Sequence, residues 1–413
     1  MKKLFRIKFL LYLLAVMGPG LVTAFADNDA GGVATYSVAA AKFGYQILFT
    51  LIPITVVLFI TQEIGARIAL ASGKGLADLI RERHGVIVSL MMLLLVFFVN
   101  FGVILQDMSG LKSALQLFGL DYRIYLPLLL VFLFIFLVKS SYKKTERLFF
   151  VLILFYLSYL FSAVLVKPDW GHVFKSIVIP QGKMSFDLIY TSVAVLGTTV
   201  TAWGQFVIAS SIKDKKLTAN DMKISQFEVV AASIISNTFT MFMMVAVAAT
   251  IFTNGLHIGD AAEASIAIRP LAGDLAGILF GVGLLVAGFL GCAIVPLSTA
   301  YMYSELFGYE GSLDQGLQKS KFFYGFFVFQ IVLASIFVMQ PKFSLFQITL
   351  YADFLNGMIL PVIFVFLYRF ANNPEIMGKY KNSKMQNIVL ITCGVVVSLA
   401  VLFGLVGKIF NLA

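Results

Sequence analysis

Four groups of hydrogen-bonding residues interrupt otherwise apolar stretches of this 413-residue chain. They are Asp27-Asn28-Asp29-Ala30-Gly31-Gly32; Gly197-Thr198-Thr199-Val200-Thr201-Ala202-Trp203-Gly204-Gln205; Asp353 with Asn356, ahead of Gly357 and Pro361; and Gln106 with Asp107. Carboxylates, hydroxyls, amides and the carbonyls freed by unwinding are hard oxygen donors, which suit Mg²⁺, Ca²⁺ or Mn²⁺ better than a soft transition metal. Neither of the first two groups contains Met or Cys. Ala30, Gly31, Gly32 and Ala202 are small enough to leave room for an ion that keeps some of its waters, as Mg²⁺ does. Other chemistries find less support. His84, His172 and His257 fall in or near expected loops, and Cys292 and Cys393 lie in apolar runs, so no zinc-ligand spacing or disulfide framework exists. A membrane aspartic protease would need a paired motif such as Gly-x-Gly-Asp, which is absent.

Each group also has a plainer explanation. Glycines let helices pack closely, and an aspartate can simply sit at a helix end. A charge at the bilayer centre costs roughly 2.5–3.5 kcal/mol even on lenient scales, which makes Asp29 the expected central ligand. Asp27, two residues earlier, reads equally well as a cap or a vestibule charge, with Asn28 beside it to orient a hydrated ion. Asp353 and Asn356, three apart, share a helix face. Asp107 and Gln106 are candidates for gating or for the ion pathway, although Asp107 could instead pair with Lys112; Trp203 and Gln205 are further gating candidates.

The elements that must position these groups are transmembrane helices. Hydrophobic residues make up 60% of the chain and charged residues 13%, where a soluble domain is about half apolar and a quarter charged. Leu10–Val22, Ile52–Ile60, Val86–Val99 and Leu126–Val138 carry no charge at all. A bilayer core needs roughly 20 apolar residues of helix, and the short alternating strands of a β-barrel are missing. About eleven spans are expected: 9–43, 46–72, 86–118, 122–138, 147–166, 187–212, 224–253, 272–306, 321–340, 344–369 and 387–409. The first and sixth are broken by the polar groups, five spans apart. Transporters built from inverted repeats place discontinuous helices at such matching positions, and their unwound segments meet at the substrate. The division expected is one transport domain over 1–413, with repeats at 9–166 and 187–369 and an additional helix at 387–409.

The net charge of +10 lies in alternate loops rather than in one basic face. One set holds Lys2, Lys3, Arg6 and Lys8; Lys74, Arg81 and Arg83; Lys139, Lys143, Lys144 and Arg147; Lys213, Lys215, Lys216 and Lys223; and Lys379, Lys381 and Lys384. The opposite set, with Arg123, a few lysines around 167–183, Arg269, Lys342 and Lys408, is sparser. This is the positive-inside pattern, and it argues for a bilayer partner and against nucleic acid. It places the N-terminus in the cytoplasm and the C-terminus outside, in a multi-pass protein of the cell membrane. The opening Met-Lys-Lys-Leu-Phe-Arg looks like the start of a signal peptide, but no A-x-A-like cleavage site follows, so the segment reads as a retained first helix.

These residues resemble the Nramp family of divalent metal transporters over nearly the whole chain. The resemblance rests on Gly18-Pro19-Gly20 leading to Asp29-Ala30-Gly31-Gly32-Val33-Ala34-Thr35-Tyr36, on Gln62-Glu63-Ile64-Gly65-Ala66-Arg67 with Ser72-Gly73-Lys74-Gly75-Leu76-Ala77, on the Gly197–Gln205 segment, and on Asn356 to Pro361 with Ile376-Met377-Gly378. It implies an all-α, LeuT-like fold in which helices 1–5 and 6–10 form inverted repeats and helices 1 and 6 are broken. Typical members carry Asp-Pro-Gly-Asn in the first helix, where Asp and Asn bind metal. Here Asp29 matches the Asp, and Gly32 stands at the Asn. In the sixth helix, Thr198, Thr201, Ala202 and Trp203 stand where the family has Ala or Cys, Met, Pro and His. The soft Met ligand is thus a hydroxyl, and the histidine associated with proton movement is a tryptophan. In the tenth helix Asp353 stands at a Gln that joins the site in occluded states. These departures resemble the Nramp-related magnesium transporter branch, which implies Mg²⁺ as well as Mn²⁺ and no proton coupling, although that branch has a smaller residue at Thr201.

The mechanism expected is a uniporter rather than an enzyme. It would have no cofactor, with Mg²⁺ or Mn²⁺ as cargo, and would act as a monomer. Asp29 would hold the ion, the Thr198 carbonyl and Thr201 would supply the facing half, and Asp353 would close in as a second charge. Two carboxylates around a dication would leave the loaded site near neutral. A negative interior favours inward movement of a dication by about 4.6 kcal/mol per 100 mV. The alternatives are a proton-coupled Mn²⁺/Fe²⁺ transporter of the typical Nramp kind and, from another class, a cation channel. A LeuT-like amino-acid carrier is disfavoured because Asp29 would repel the substrate carboxylate.

Overall fold

Each apolar run forms a helix, because a lipid-facing backbone must satisfy its own hydrogen bonds. The computed structural model describes residues 16–256, 273–340 and 345–410, with 345–348 as backbone only. Lys2, Lys3, Arg6, Lys8, His257, Arg269 and Lys342, and the part of the first expected span before residue 16, lie outside the described residues.

The first pass is two half-helices, α1 (Pro19–Ala26) and α2 (Ala30–Phe43). Pro19 starts α1 at a position where its missing N–H costs nothing. A 3₁₀ segment, Gly44–Thr50, leads to α3 (Leu51–Ser72). The chain reverses there: α2 climbs about 21 Å at 1.5 Å per residue, yet Gln62 of α3 is back at the level of Asp27, with Nε2 donating to Oδ2 at 3.2 Å. Then come α4 (Leu76–Leu117), α5 (Tyr122–Lys139), and a fifth pass of α6 (Tyr142–Leu154) and α7 (Leu157–Leu165). A short helix, α8 (Trp170–Val178), occupies the loop expected over 167–186.

The sixth pass is broken like the first, into α9 (Phe186–Thr199) and α10 (Ala202–Asp214). The remaining passes are α11 (Met222–Val247), α12 (Asp274–Phe307), α13 (Lys321–Val338), α14 (Leu345–Asn372) and α15 (Lys384–Ile409). Ten stretches among the described residues are long and apolar enough to span a membrane, the first running unbroken over Ala30–Ser72. Divided at the reversal, that stretch makes the count eleven.

Three span boundaries shift. The second pass is α-helical from Leu51 rather than 46, after the 3₁₀ segment. The third pass begins at Leu76 rather than 86, because Gly85 (φ 78°) takes a left-handed turn inside α4 and joins a polar helical lead to the apolar run. The fifth begins at Tyr142 rather than 147 and is interrupted after Leu154.

Close backbone contact holds the core to the polar residues. A Cβ on Gly197 would overlap the Asp353 carbonyl and lie 2.6 Å from the Gly357 nitrogen, so α9 and α14 meet backbone to backbone. A Cβ on Gly288 would lie 2.9 Å from the Leu111 nitrogen, and one on Gly291 would overlap the Asp107 carboxylate. In this way α12 presses against α4 and fixes Asp107.

Candidate metal centre

Both breaks end one half-helix and start another in mid-membrane, and each new half-helix is capped by its own first side chain. Asp29 is extended (ψ −179°) and its Oδ1 accepts from Gly32 N at 2.7 Å. Thr201 is extended (ψ 149°) and its Oγ1 accepts from Gly204 N at 3.1 Å. Short polar side chains do this because the first N–H groups of a helix have no intrahelical partner. By the same logic the last carbonyls of α9, Thr198 among them, lose their partners where the helix stops.

Around Asp29 the structure gathers acids from two other passes. Asp107 reaches from α4, its Oδ1 accepting from Ala30 N at 3.0 Å, and its Oδ2 has no partner. Asp353 comes from α14 and accepts through Oδ2 from the Thr35 hydroxyl. The Gln106 amide donates to Thr349 O at 3.0 Å, while its oxygen lies 2.9 Å from where a Gly31 Cβ would be. A Cβ on Gly32 would sit 2.9 Å from Asp27 O, 3.3 Å from Thr198 Oγ1 and 3.4 Å from Asp29 Oδ1. The lack of a side chain at Gly32 therefore lets oxygens from both broken passes approach one another closely.

Three of the expected residues have other neighbours. Thr201 Oγ1 donates to Asp27 Oδ1 at 2.9 Å, so its hydroxyl serves Asp27 rather than Asp29. The Asn28 side chain is held by α11: Nδ2 donates to Ser236 Oγ at 2.7 Å, and Oδ1 accepts from Thr240 Oγ1 at 2.6 Å. With both amide atoms engaged, Asn28 acts as a strut instead of orienting an ion. Asn356 Oδ1 accepts from Ala202 N at 3.1 Å and ties α14 to the start of α10. Trp203 Nε1 and both amide atoms of Gln205 are buried without a partner. Lys112 does not pair with Asp107; its Nζ donates to Val338 O (2.9 Å) and Gln340 O (3.2 Å).

All eleven candidates are at most 2% exposed, so the centre is closed to both sides. Among the described residues, none of Asp27, Asp29, Asp107 and Asp353 belongs to an ion pair. Nor do any three acidic, histidine or cysteine side chains among them converge on one metal-sized point. Three residues that carry the family resemblance but are not among the expected site residues also line the centre. Thr35 holds Asp353, the Tyr36 hydroxyl lies 2.8 Å from Thr199 Oγ1, and Gln62 holds Asp27. Gln62 is a mid-span amide, the same signal that singled out Gln106.

On the face carrying the lysine-rich loops, Glu228 Oε1 accepts from Gly18 N (2.5 Å) and Leu21 N (2.9 Å), pinning the start of α1. Lys215 bridges Glu146 at 2.7 Å and Lys213 bridges Asp78 at 2.7 Å. Beyond them lies a polar cavity of about 440 Å³ bordered by Asp78, Arg81, Asp214 and Glu305.

The chain matches the family model described as natural resistance-associated macrophage protein-like over residues 20–407. It is 28% identical over 300 residues to the divalent metal cation transporter MntH of Bacillus subtilis, covering 69% of each chain. It is 25% identical over 385 residues to MntH of Yersinia pestis, covering 91% of each. In three dimensions it is similar to the manganese transporter of Eremococcus coleocola, with a TM-score of 0.74 at 16% identity, covering 97% of this chain and 87% of that one. MhsT in complex with L-phenylalanine is also similar, with a TM-score of 0.61 at 13% identity, covering 96% and 97%. Those identities speak to the fold alone, an all-helical LeuT-like arrangement.

Proposed function

The chain belongs to the Nramp family of divalent metal transporters, and from that premise we propose that it carries Mn²⁺ together with protons, by alternating access around Asp29. The supporting observation is the crowding of oxygens at Gly32. A Cβ there would meet Asp27 O, Thr198 Oγ1 and Asp29 Oδ1 at 2.9–3.4 Å, so oxygens of both broken passes come together with no side chain between them. Small shifts would bring them within bonding range of a hard dication, with waters completing the shell. Mn²⁺ is named first because the E. coleocola structure is that of a manganese transporter and oxygen donors suit this ion.

Proton movement follows from counting charges. Four buried carboxylates surround the centre with no protein cation among the described residues, and a dication balances only two of them. Isolated charges in such a site are costly, so protons travelling with the metal are the natural complement. This differs from the uncoupled uniporter expected from two carboxylates, because Asp107 and Asp27 join the set.

A second reading, uncoupled Mg²⁺ transport, is favoured by one observation: neither break, Asp27–Gly32 or Gly197–Gln205, contains Met, Cys or His, and a hydroxyl stands at Thr201. Under either reading the chain is a transporter and not an enzyme. The lysine-rich loops support a cytoplasmic position for the Glu228–Gly18 end of α1. The two repeats, 9–166 and 187–369, would rock about the breaks, α15 standing outside them, with one chain sufficing as the working unit.

The test is reconstitution into liposomes holding a metal-sensitive dye and a pH dye, with Mn²⁺ or Mg²⁺ outside. Mn²⁺ uptake with internal acidification, lost in Asp29→Ala, is the expected result. Mg²⁺ uptake without a pH change would establish the second reading, and no flux of either ion would end both.

A further inference from the structure

We infer that the centre contains two cation seats in series, and that the second is built by Asp27, Gln62, Thr201 and Gln205. This rests on the cation-transport reading above and extends it to a place that the Asp29 site does not include. Asp27 and Asp29 are two residues apart, yet they point at different elements. Asp29 turns into the start of α2 toward Asp107 and Asp353, while the Asp27 carboxylate accepts from Thr201 Oγ1 at 2.9 Å on one oxygen and from Gln62 Nε2 at 3.2 Å on the other. Asn28 between them cannot let either swing across. Its side chain is fixed by Ser236 and Thr240, and its carbonyl accepts from the Tyr156 hydroxyl at 2.9 Å.

The second observation is a set of unused donors and acceptors around Asp27. Gln62 Oε1 and both amide atoms of Gln205 are fully buried and make no hydrogen bond among the described residues. Gln205 lies one helical turn beyond Thr201. It also faces the Gln62 side of α3: the position of a Cβ on Gly65, one turn from Gln62, is 3.7 Å from Gln205 Oε1. Buried amides without partners are rare in native structures and point to an absent water or ion. One carboxylate, a hydroxyl and two amide oxygens are all hard donors, suited to a partly hydrated divalent cation. A carboxylate within this set that no Lys or Arg among the described residues neutralises gives the seat its sign.

Two seats either side of Asn28 let one ion move between them without meeting a wholly apolar stretch. Because Asp27 terminates α1, the seat lies on the half of the first pass that Glu228 pins at its far end, which is the side toward the 440 Å³ cavity.

Equilibrium Mn²⁺ binding to the purified full chain tests this, followed by titration calorimetry and by loss of the free-ion EPR signal. Asp29→Ala is expected to weaken binding but retain it; Asp29→Ala with Asp27→Asn is expected to lose it. Thr201→Val in the Asp29→Ala background keeps the charge but removes the hydroxyl, and should weaken the residual binding further. Melting temperatures identify any variant that fails to fold, and Gln62→Leu in the Asp29→Ala background then replaces it, with the same weakening expected. Residual binding that survives Asp27→Asn would assign it to Asp107 and Asp353 and overturn the second seat. Complete loss in Asp29→Ala alone would overturn it too, leaving the Asp29 reading intact. No Mn²⁺ or Mg²⁺ binding by the unaltered chain would remove both.

Discussion

At Asp27–Asp29 the first pass carries two carboxylates within three residues; at Val200–Thr201 the sixth pass carries none. Both breaks begin a new half-helix with a side-chain cap, a carboxylate in one and a hydroxyl in the other. Both also lean on a third element through an amide or acid: Asp107 reaches Ala30 N, and Asn356 reaches Ala202 N. The geometry is thus nearly the same and the electrostatics are not. The first break brings negative charge, while the sixth brings dipoles, hydroxyls and the carbonyls at the end of α9. A site split this way can attract a cation on one side and adjust its preference on the other without changing the total charge. Substitutions at the first break should therefore change how much ion is held, and those at the sixth which ion it is.

The largest effect is expected from removing charge at the first break. Asp29→Asn keeps the size and can still accept from Gly32 N, so the cap survives while the charge is lost. Losing a charged partner in a buried site costs about 3 kcal/mol, on the order of a hundredfold in affinity. Metal flux into liposomes should fall accordingly, with the melting temperature held. An unchanged flux would mean that Asp353 or Asp107, not the first break, carries the charge that matters.

Next is the contact that fixes the sixth break against α14. Gly197→Ala inserts a methyl where the Asp353 carbonyl and the Gly357 nitrogen already stand, and backbone cannot rotate aside as a side chain can. Overpacking of this kind costs about 1–3 kcal/mol. The expected outcome is a lowered melting temperature together with reduced flux, because displacing α14 also displaces Asp353. A melting curve unchanged from the parent would show that the two helices separate freely at this point.

A smaller and more selective change is expected from Thr201→Met. It places a soft thioether in the neutral break and deletes the hydroxyl that donates to Asp27. Soft ligands favour soft metals, so competition assays should show Cd²⁺ gaining on Mn²⁺, with a several-fold change in ratio and little change in total uptake. A fall in all ions alike would mean that Thr201 acts through Asp27 rather than as a determinant of preference.

The sequence made these breaks visible for a definite reason. Two aspartates, or a run of Gly and Thr, have no place in a lipid-facing helix, so Asp29, Thr198 and Asp353 stand out in the sequence alone. What could not be read was the partner of each polar group, since partners come from passes far away in the chain. In sequence Asn28 reads as a residue that orients a hydrated ion, but Ser236 and Thr240 hold both ends of its amide. Gln62 matched the family pattern, yet its contact with Asp27 depends on the chain reversing at Gly44–Thr50. Helix ends were blurred for a similar reason. Apolar content does not register a glycine turn such as Gly85, which joins a polar lead to the third pass. The amphipathic α8 is short enough to pass as loop.

The smallest effect on transport is expected at Lys112, and it sharpens the comparison from the outside. In sequence Lys112 could have neutralised Asp107, and then the first break would face one acid fewer. In the structure its ammonium donates to the carbonyls of Val338 and Gln340 and lies over the Tyr122 ring, 4.6 Å from the centroid. Lys112→Met keeps the aliphatic stem and removes the charge. If Asp107 depended on that charge, the substitution would leave an unpaired buried carboxylate and cost about 3–5 kcal/mol. Since it does not, the loss is that of hydrogen bonds from a charged donor, about 1.5–3 kcal/mol each at most and less where water can replace them. The expected result is a modest fall in melting temperature with metal affinity and flux within twofold of the parent. A large loss of metal binding would place Lys112 back within the field of Asp107 and reduce the negative charge assigned to the first break.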